Sequence, residues 1–134
     1  MQDTPDGTLT IQTLAFPKDT NSGGDIFGGW VISQMDIAAG VTAAARAKGR
    51  CATVAIDAMR FHAPIYVGDL VSVYTEVTRV GRTSMTLHVE TWVTRQNTGD
   101  RTMVTEGDFT FVAISSSGIK RVIPPEDQAL SLPG

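Results

Sequence analysis

Residues 26–45 read IFGGWVISQMDIAAGVTAAA, an apolar run interrupted by one charged side chain, Asp36. Its alanine-rich second half favours helix, and Gly49 offers a stop because glycine accepts positive φ. The spacing therefore predicts a helix that begins near Gly28 to Trp30 and ends by Gly49. On such a helix the residues one turn either side of Asp36 are Ile32, Ser33, Ala39 and Gly40, a small and apolar face. An unpaired carboxylate is costly to bury, so Asp36 calls for a partner or a task. A helix this poor in charge is expected to be wrapped by other elements rather than laid on a surface.

Beyond the helix the apolar period changes to two, the signature of half-buried strands. Val54, Ile56 and Ala58 alternate in 52–61, Val71, Val73 and Val77 in 71–80, Met85, Leu87, Val89 and Val93 in 84–93, and Met103, Phe109, Phe111 and Ala113 in 102–114. The separators PIYVGD (64–69), VGR (80–82) and QNTGD (96–100) are turn formers, short enough for antiparallel neighbours. A further strand is expected over Thr8 to Phe16, ended by Pro17. Strand, helix, then four strands reads as an α+β fold, an antiparallel sheet curled around one long central helix. The proline-rich end, residues about 124–134, is expected to be a loosely held tail of a single domain over 1–134.

Composition limits the functions open to the chain. Its 134 residues, 42% hydrophobic and 19% charged, suit one globular core. A net charge of −3 gives no bulk attraction to nucleic acid or to an anionic membrane, so neither is expected as a partner. Cys51 is the only cysteine, which rules out an intrachain disulfide and suits a reducing, cytoplasmic setting. The opening MQDTPDGTLT lacks the basic-then-apolar order of a signal peptide. The run from 26 to 45 holds Asp36, Gln34, Ser33 and three glycines, which argues against a membrane span.

The loop FPKDTNSGGDIFGGW (16–30) places Gly28 and Gly29 at the helix start, where unpaired N–H groups carry the positive end of the helix dipole. Glycine there lets a ligand or another backbone come close, and such N–H groups suit a carbonyl oxygen that gains charge in a reaction. A tight turn or a close crossing would use the same glycines. His62 and His88 stand apart with no third ligand at metal spacing, so no metal is expected. Ser22, Ser33 and Ser84 lack a GxSxG context.

The strings PKDTNSGGDIFGGWVISQMD (17–36), ATVAIDAMRFHAPIYVGD (52–69), VGRTS (80–84), ETWV (90–93) and TEGDFTFVAI (105–114) resemble the hotdog-fold acyl-CoA thioesterases, specifically the YciA type, across about residues 9–123. The resemblance implies a five- or six-stranded sheet around a central helix, in homodimers that assemble to tetramers or hexamers. It implies hydrolysis of acyl-CoA to a free acid and CoA, with no cofactor. By the same resemblance Asp36 acts as general base or nucleophile and Asn21 positions the water or the carbonyl. Gly28 and Gly29 lie where helix-start N–H groups polarise the thioester oxygen, and Asn21 and Asp36 reach one site from different subunits. Gly81, Arg82, Thr83 and Ser84 fall where the family contacts CoA, and Arg60, Arg79, Lys120 and Arg121 are further candidates for its phosphates. Asp57 serves either the site or the dimer interface. Two alternatives share the fold: a noncatalytic acyl-CoA-binding protein, and a hydratase or dehydratase, against which the absence of histidine before Phe61 counts. Acyl chain length is expected to depend on Ile32, Met35, Met59 and Phe61.

Overall fold

The computed structural model describes residues 2–126. In chain order these form β1 (Thr8–Leu14), a 3-10 turn (Pro17–Asp19), α1 (Gly28–Ala47), β2 (Cys51–Phe61), β3 (Leu70–Val80), β4 (Ser84–Thr94) and β5 (Arg101–Ala113). The strands make one antiparallel sheet in the order β1-β3-β4-β5-β2, and α1 packs against all five. This is the expected α+β hotdog arrangement.

Period-two burial builds the sheet side of the core. Val71 and Val73 of β3, Met85, Leu87, Val89 and Val93 of β4, and Phe109, Phe111 and Ala113 of β5 are all buried. Each large apolar side chain so placed contributes about 1.5–3 kcal/mol. The helix meets them with Val31, Met35, Ala38, Ala39, Ala43 and Ala47, and its small residues allow close approach: a Cβ on Gly40 would stand 3.8 Å from the Phe111 ring.

Four expectations need correction. The helix is covered on one side only, since Ile37 and Val41 remain 52% and 56% exposed. Its left-handed end residue is Lys48, at φ 54°, rather than Gly49. Gly49 follows with φ 158°, positive as expected, and is needed for space as well, because a Cβ there would lie 2.6 Å from Arg121 Nη2. The simple alternation of Val54, Ile56 and Ala58 fails because β2 carries two bulges, at Thr53/Ala55 and Asp57/Arg60. The helix-side residues therefore include Thr53, Ile56 and Phe61, opposite Phe111, Phe109 and Thr105, and the β2 side chains that pack on the core are Cys51 and Met59. A bulge at Thr91/Trp92 likewise turns Met103 to the outer face opposite Trp92, and Val104 joins the core in its place.

Ile123 is buried in the core, and Arg46 donates to the Pro124 carbonyl at 2.7 Å, so the chain is held at least this far. The remainder of the expected tail, residues 127–134, lies outside the described residues. No helix among the described residues is long and apolar enough to cross a membrane.

Candidate active site

The segment before α1 is held by two acidic-amide side chains. Asp19 is buried, accepts the Phe16 N–H at 3.1 Å and Lys18 Nζ at 3.0 Å, and its carbonyl takes the Phe27 N–H at 3.3 Å. Burial works to raise its pKa, but the bonds from Lys18 and Phe16 outweigh it and hold the carboxyl below its ordinary value. Asn21 Oδ1 accepts the N–H groups of Gly23 (2.9 Å) and Asp25 (3.1 Å), an Asx turn that shapes the loop. Both partners are donors, so this atom is the oxygen, and the amide Nδ2 is left without a partner among the described residues.

Gly28 and Gly29 then open the helix, and its first intrahelical bonds run from Trp30 and Val31 to the Phe27 carbonyl. A Cβ on Gly28 would make an ordinary 3.6 Å contact with Phe61, and one on Gly29 would meet nothing within 4 Å. Nothing among the described residues requires glycine here, although glycine lowers helix stability by up to about 1 kcal/mol relative to alanine. Space is thus left at the helix start for a ligand or a second protomer.

Asp36, eight positions further on, is half-buried, and its Oδ1 accepts a 2.6 Å hydrogen bond from the Thr53 hydroxyl of β2. Thr53 was absent from the sequence expectations, because the bulge beside it hides its helix-facing phase. At 1.5 Å per residue Asp36 stands about 12 Å along the axis from Gly28. The structure thus joins Asp36 to Thr53 and Gly28 to Phe61, but within one chain it brings Asp36 neither to Asn21 nor to the helix-start N–H groups.

Beside the helix start is a cavity of about 330 Å³ lined by Ile26, Gly28, Val31, Phe61, His62, Ala63, Pro64, Ile65 and Thr105. Directly opposite Thr105 across the β4–β5 ladder is Thr91, fully buried, with Oγ1 unpartnered. An unpaired buried hydroxyl costs about 1–3 kcal/mol.

The family model for the thioesterase superfamily matches residues 23–99, which span the helix start, Asp36, Thr53 and the β3–β4 turn. The chain belongs to this superfamily. It is 47% identical over 124 residues to an acyl-CoA thioester hydrolase of Haemophilus influenzae, covering 90% of this chain and 80% of the relative. It is 42% identical over 125 residues to the acyl-CoA thioester hydrolase YciA of Escherichia coli, covering 91% and 95%. Among solved structures it is similar to the hexameric thioesterase y2039 of Yersinia pestis, with TM-score 0.88, 44% identity and coverage of 92% and 100%.

The far end of this thioesterase is basic. Arg46, Lys48, Arg50, Arg79, Arg82, Lys120 and Arg121, seven of the eleven Lys and Arg residues, cluster at the C-terminal end of α1 and the adjoining strand ends. The expected CoA-contact residues lie here: Gly81 N–H closes the β3–β4 turn on the Ser84 carbonyl at 2.7 Å, and the carbonyls of Arg82 and Thr83 accept from Ile123 and Ala113. A cavity of about 330 Å³ nearby is lined by Arg46, Val77, Thr78, Arg79, Val80 and Glu126. Arg121 is committed elsewhere: its guanidinium donates to the carbonyls of Ile114, Ala47 and Arg50, closing the helix end. Arg60 is also misplaced for this role, since it stands opposite Glu106 in β5, and Asp57 stands opposite Asp108.

The outer face of the sheet holds a polar cluster that the sequence pattern did not reveal. Glu90 is fully buried there and accepts Trp92 Nε1–H (2.9 Å), the Asp6 N–H (3.2 Å) and Gln2 Nε2 (3.1 Å). His88 bridges Glu90 (2.9 Å) and Asp108 (3.0 Å) through its two ring nitrogens, and His62 meets Glu106 at 2.7 Å. Burial works to lower the His88 pKa, but the bonds to Asp108 and Glu90 prevail and raise it. Asp6, His88 and Glu90 each bring one ligand atom within 4.8 Å of the others, close enough to share a cation. The cluster lies across the sheet from Asp36.

Proposed function

We propose that the protein hydrolyses acyl-CoA thioesters to a carboxylic acid and free CoA at sites shared by two protomers. The carrying observation is the separation within α1. A reacting thioester needs a carboxylate and an oxyanion donor each within about 3 Å of one carbonyl, whereas Asp36 and Gly28 of one chain stand about 12 Å apart along the helix. Asp36 of one protomer and the Gly28 and Gly29 N–H groups of another therefore make the site, with Asn21 supplied by the loop that leads into those glycines.

In this site Asp36 acts as general base or nucleophile, fixed by Thr53, and the helix-start N–H groups bind the oxygen as it gains charge. The Asn21 amide donor positions the water or the carbonyl. Residues 81–84 and the basic end around them bind the CoA moiety, whose phosphates suit arginine forks.

The surface supports the pairing. β2 is an eleven-residue edge strand with its outer backbone unpaired, and Val54 and Phe61 on it are 58% and 53% exposed. Phe27 and Ile37 of the helix side are exposed as well. Such an edge demands cover, and a second β2 provides it. The homodimer assembles further to a hexamer, as the similar y2039 protein does. A noncatalytic binding protein would not need Asp36 tethered at this depth.

The test is release of free thiol from a series of acyl-CoA esters, from acetyl to palmitoyl. Asp36→Asn is nearly isosteric and is expected to lower kcat by ~10²–10⁴. A variant that retains more than half the wild-type turnover on every active ester would overturn the assignment.

A further inference from the structure

The cavity beside the helix start is lined by Gly28 and the apolar Ile26, Val31, Phe61 and Ile65, and its polar side chains are His62, which is bonded to Glu106, and the hydroxyl-bearing Thr105. Thr105 is 1% exposed and Thr91, directly opposite it, is 0% exposed. Opposed residues present their side chains on the same face with Cβ atoms about 4.5–5.5 Å apart, so the Thr91 hydroxyl stands immediately behind the cavity wall. Its Oγ1 has no hydrogen-bond partner among the described residues. Valine has nearly the same shape and no hydroxyl to strand, so threonine costs stability here unless filling the cavity satisfies its hydroxyl through Thr105.

We propose that this cavity receives the acyl chain and that Thr105 and Thr91 select a short acyl group bearing a hydroxyl on its chain. The inference rests on the thioesterase reading above: with the thioester carbonyl at the partner-facing N–H groups of Gly28 and Gly29, the chain runs past Val31 and Phe61 to Thr105. There the ligand hydroxyl bonds Thr105 Oγ1 at the wall, and Thr105 turns to share its own hydroxyl with Thr91 Oγ1, which lies behind the lining. An unsubstituted chain leaves both threonines unpaired with acyl oxygen, which disfavours it in the transition state as in the ground state.

Measurement of kcat/KM for butyryl-CoA, 3-hydroxybutyryl-CoA and 4-hydroxybutyryl-CoA tests this directly. The expected result is a preference of about tenfold or more for at least one hydroxylated ester over butyryl-CoA. That ratio should collapse toward unity in Thr91→Val and in Thr105→Val, and should persist in Thr105→Ser, which keeps the hydroxyl. Thermal melts of each variant confirm folding, and Thr91→Val in particular is isosteric. Equal or greater kcat/KM on butyryl-CoA in the wild type, or a ratio untouched by both valine variants, overturns the proposal while leaving the thioesterase reading intact. No thiol release from any acyl-CoA ester would instead overturn that reading.

Discussion

If each site is built from two protomers, two differently disabled chains should repair one another. The perturbation is a pair of near-isosteric exchanges. Asn21→Asp keeps the Oδ acceptor that bonds the Gly23 and Asp25 N–H groups but removes the amide donor. Asp36→Asn removes the carboxylate while keeping an oxygen for the Thr53 hydroxyl. The magnitude follows from geometry. Since Asp36 stands about 12 Å along α1 from Gly28, while each catalytic group must lie within about 3 Å of the thioester, a site takes residue 21 from one chain and residue 36 from the other. Random co-assembly then leaves about one quarter of all sites with both native residues, whether dimers remain dimers or build hexamers. Heterodimers isolated with two different tags should reach about half the wild-type activity per dimer, one intact site of two. Each homodimeric parent should lie at or below about 1%, the loss expected for a positioned acid–base group. The assay is thiol release from the best ester of the acyl-CoA series. Co-assembled protein no more active than its parents would refute the shared site, and would place both residues in one chain or remove Asn21 from catalysis.

Thr53→Val should lower kcat by about 10- to 100-fold, because a hydrogen bond to a charged group contributes about 1.5–3 kcal/mol to holding it in place. Thr53→Ser should restore most of that loss, and steady-state kinetics on both variants decides the point. Arg121→Met should lower Tm by removing three bonds to the carbonyls of Ile114, Ala47 and Arg50, with little change in KM for acyl-CoA. A rise in KM at unchanged Tm would mean that Arg121 binds phosphate after all. The raised pKa of His88 makes stability depend on pH: its contribution is fully present below the unfolded value of about 6.5 and is lost as pH rises through the folded value. His88→Asn should therefore flatten the fall of Tm as pH rises above about 6.5, and a slope identical to wild type would count against the bridge to Glu90 and Asp108 as its source.

Where side-chain period and backbone period coincide, the pattern of residues was sufficient. The helix from Gly28, the buried valines of β3 and the alternating core of β4 follow directly from spacing, and Asp36 stood out because nothing charged surrounds it. Bulges broke the correspondence. No glycine or proline announces the one at Asp57/Arg60, where the left-handed residue is Ala58 at φ 54°. Val54 therefore looked like a core residue although it is exposed, and the phase hid that Thr53, exposed as well, faces Asp36. Glu90 was illegible for another reason. An acid in a polar phase reads as exposed, and only the distant residues Gln2 and Asp6, folding back over the sheet, bury it.

The two β2 bulges also explain how an edge strand can serve both a dimer and a site. Between them, Ala55, Ile56 and Asp57 pair in regular register with Thr110, Phe109 and Asp108. Outside them the phase is reset twice, so that Thr53 at one end faces the helix to hold Asp36, and Phe61 at the other faces it to lie over Gly28. A strand that kept only one of the two bulges would turn one of these side chains to the outer face, because a one-residue slip reverses every side chain beyond it and the second bulge restores the phase. The two contacts sit about eight residues apart on β2, as Asp36 and Gly28 do on α1, yet strand rise exceeds helix rise by roughly twofold. An unbulged strand would overshoot the helix by about 14 Å, and the two inserted residues reduce that mismatch to about 8 Å. The carboxylate and the helix-start cavity are thus both coupled to a single edge strand, so that in the proposed dimer the edge a second protomer covers also sets the geometry of the site.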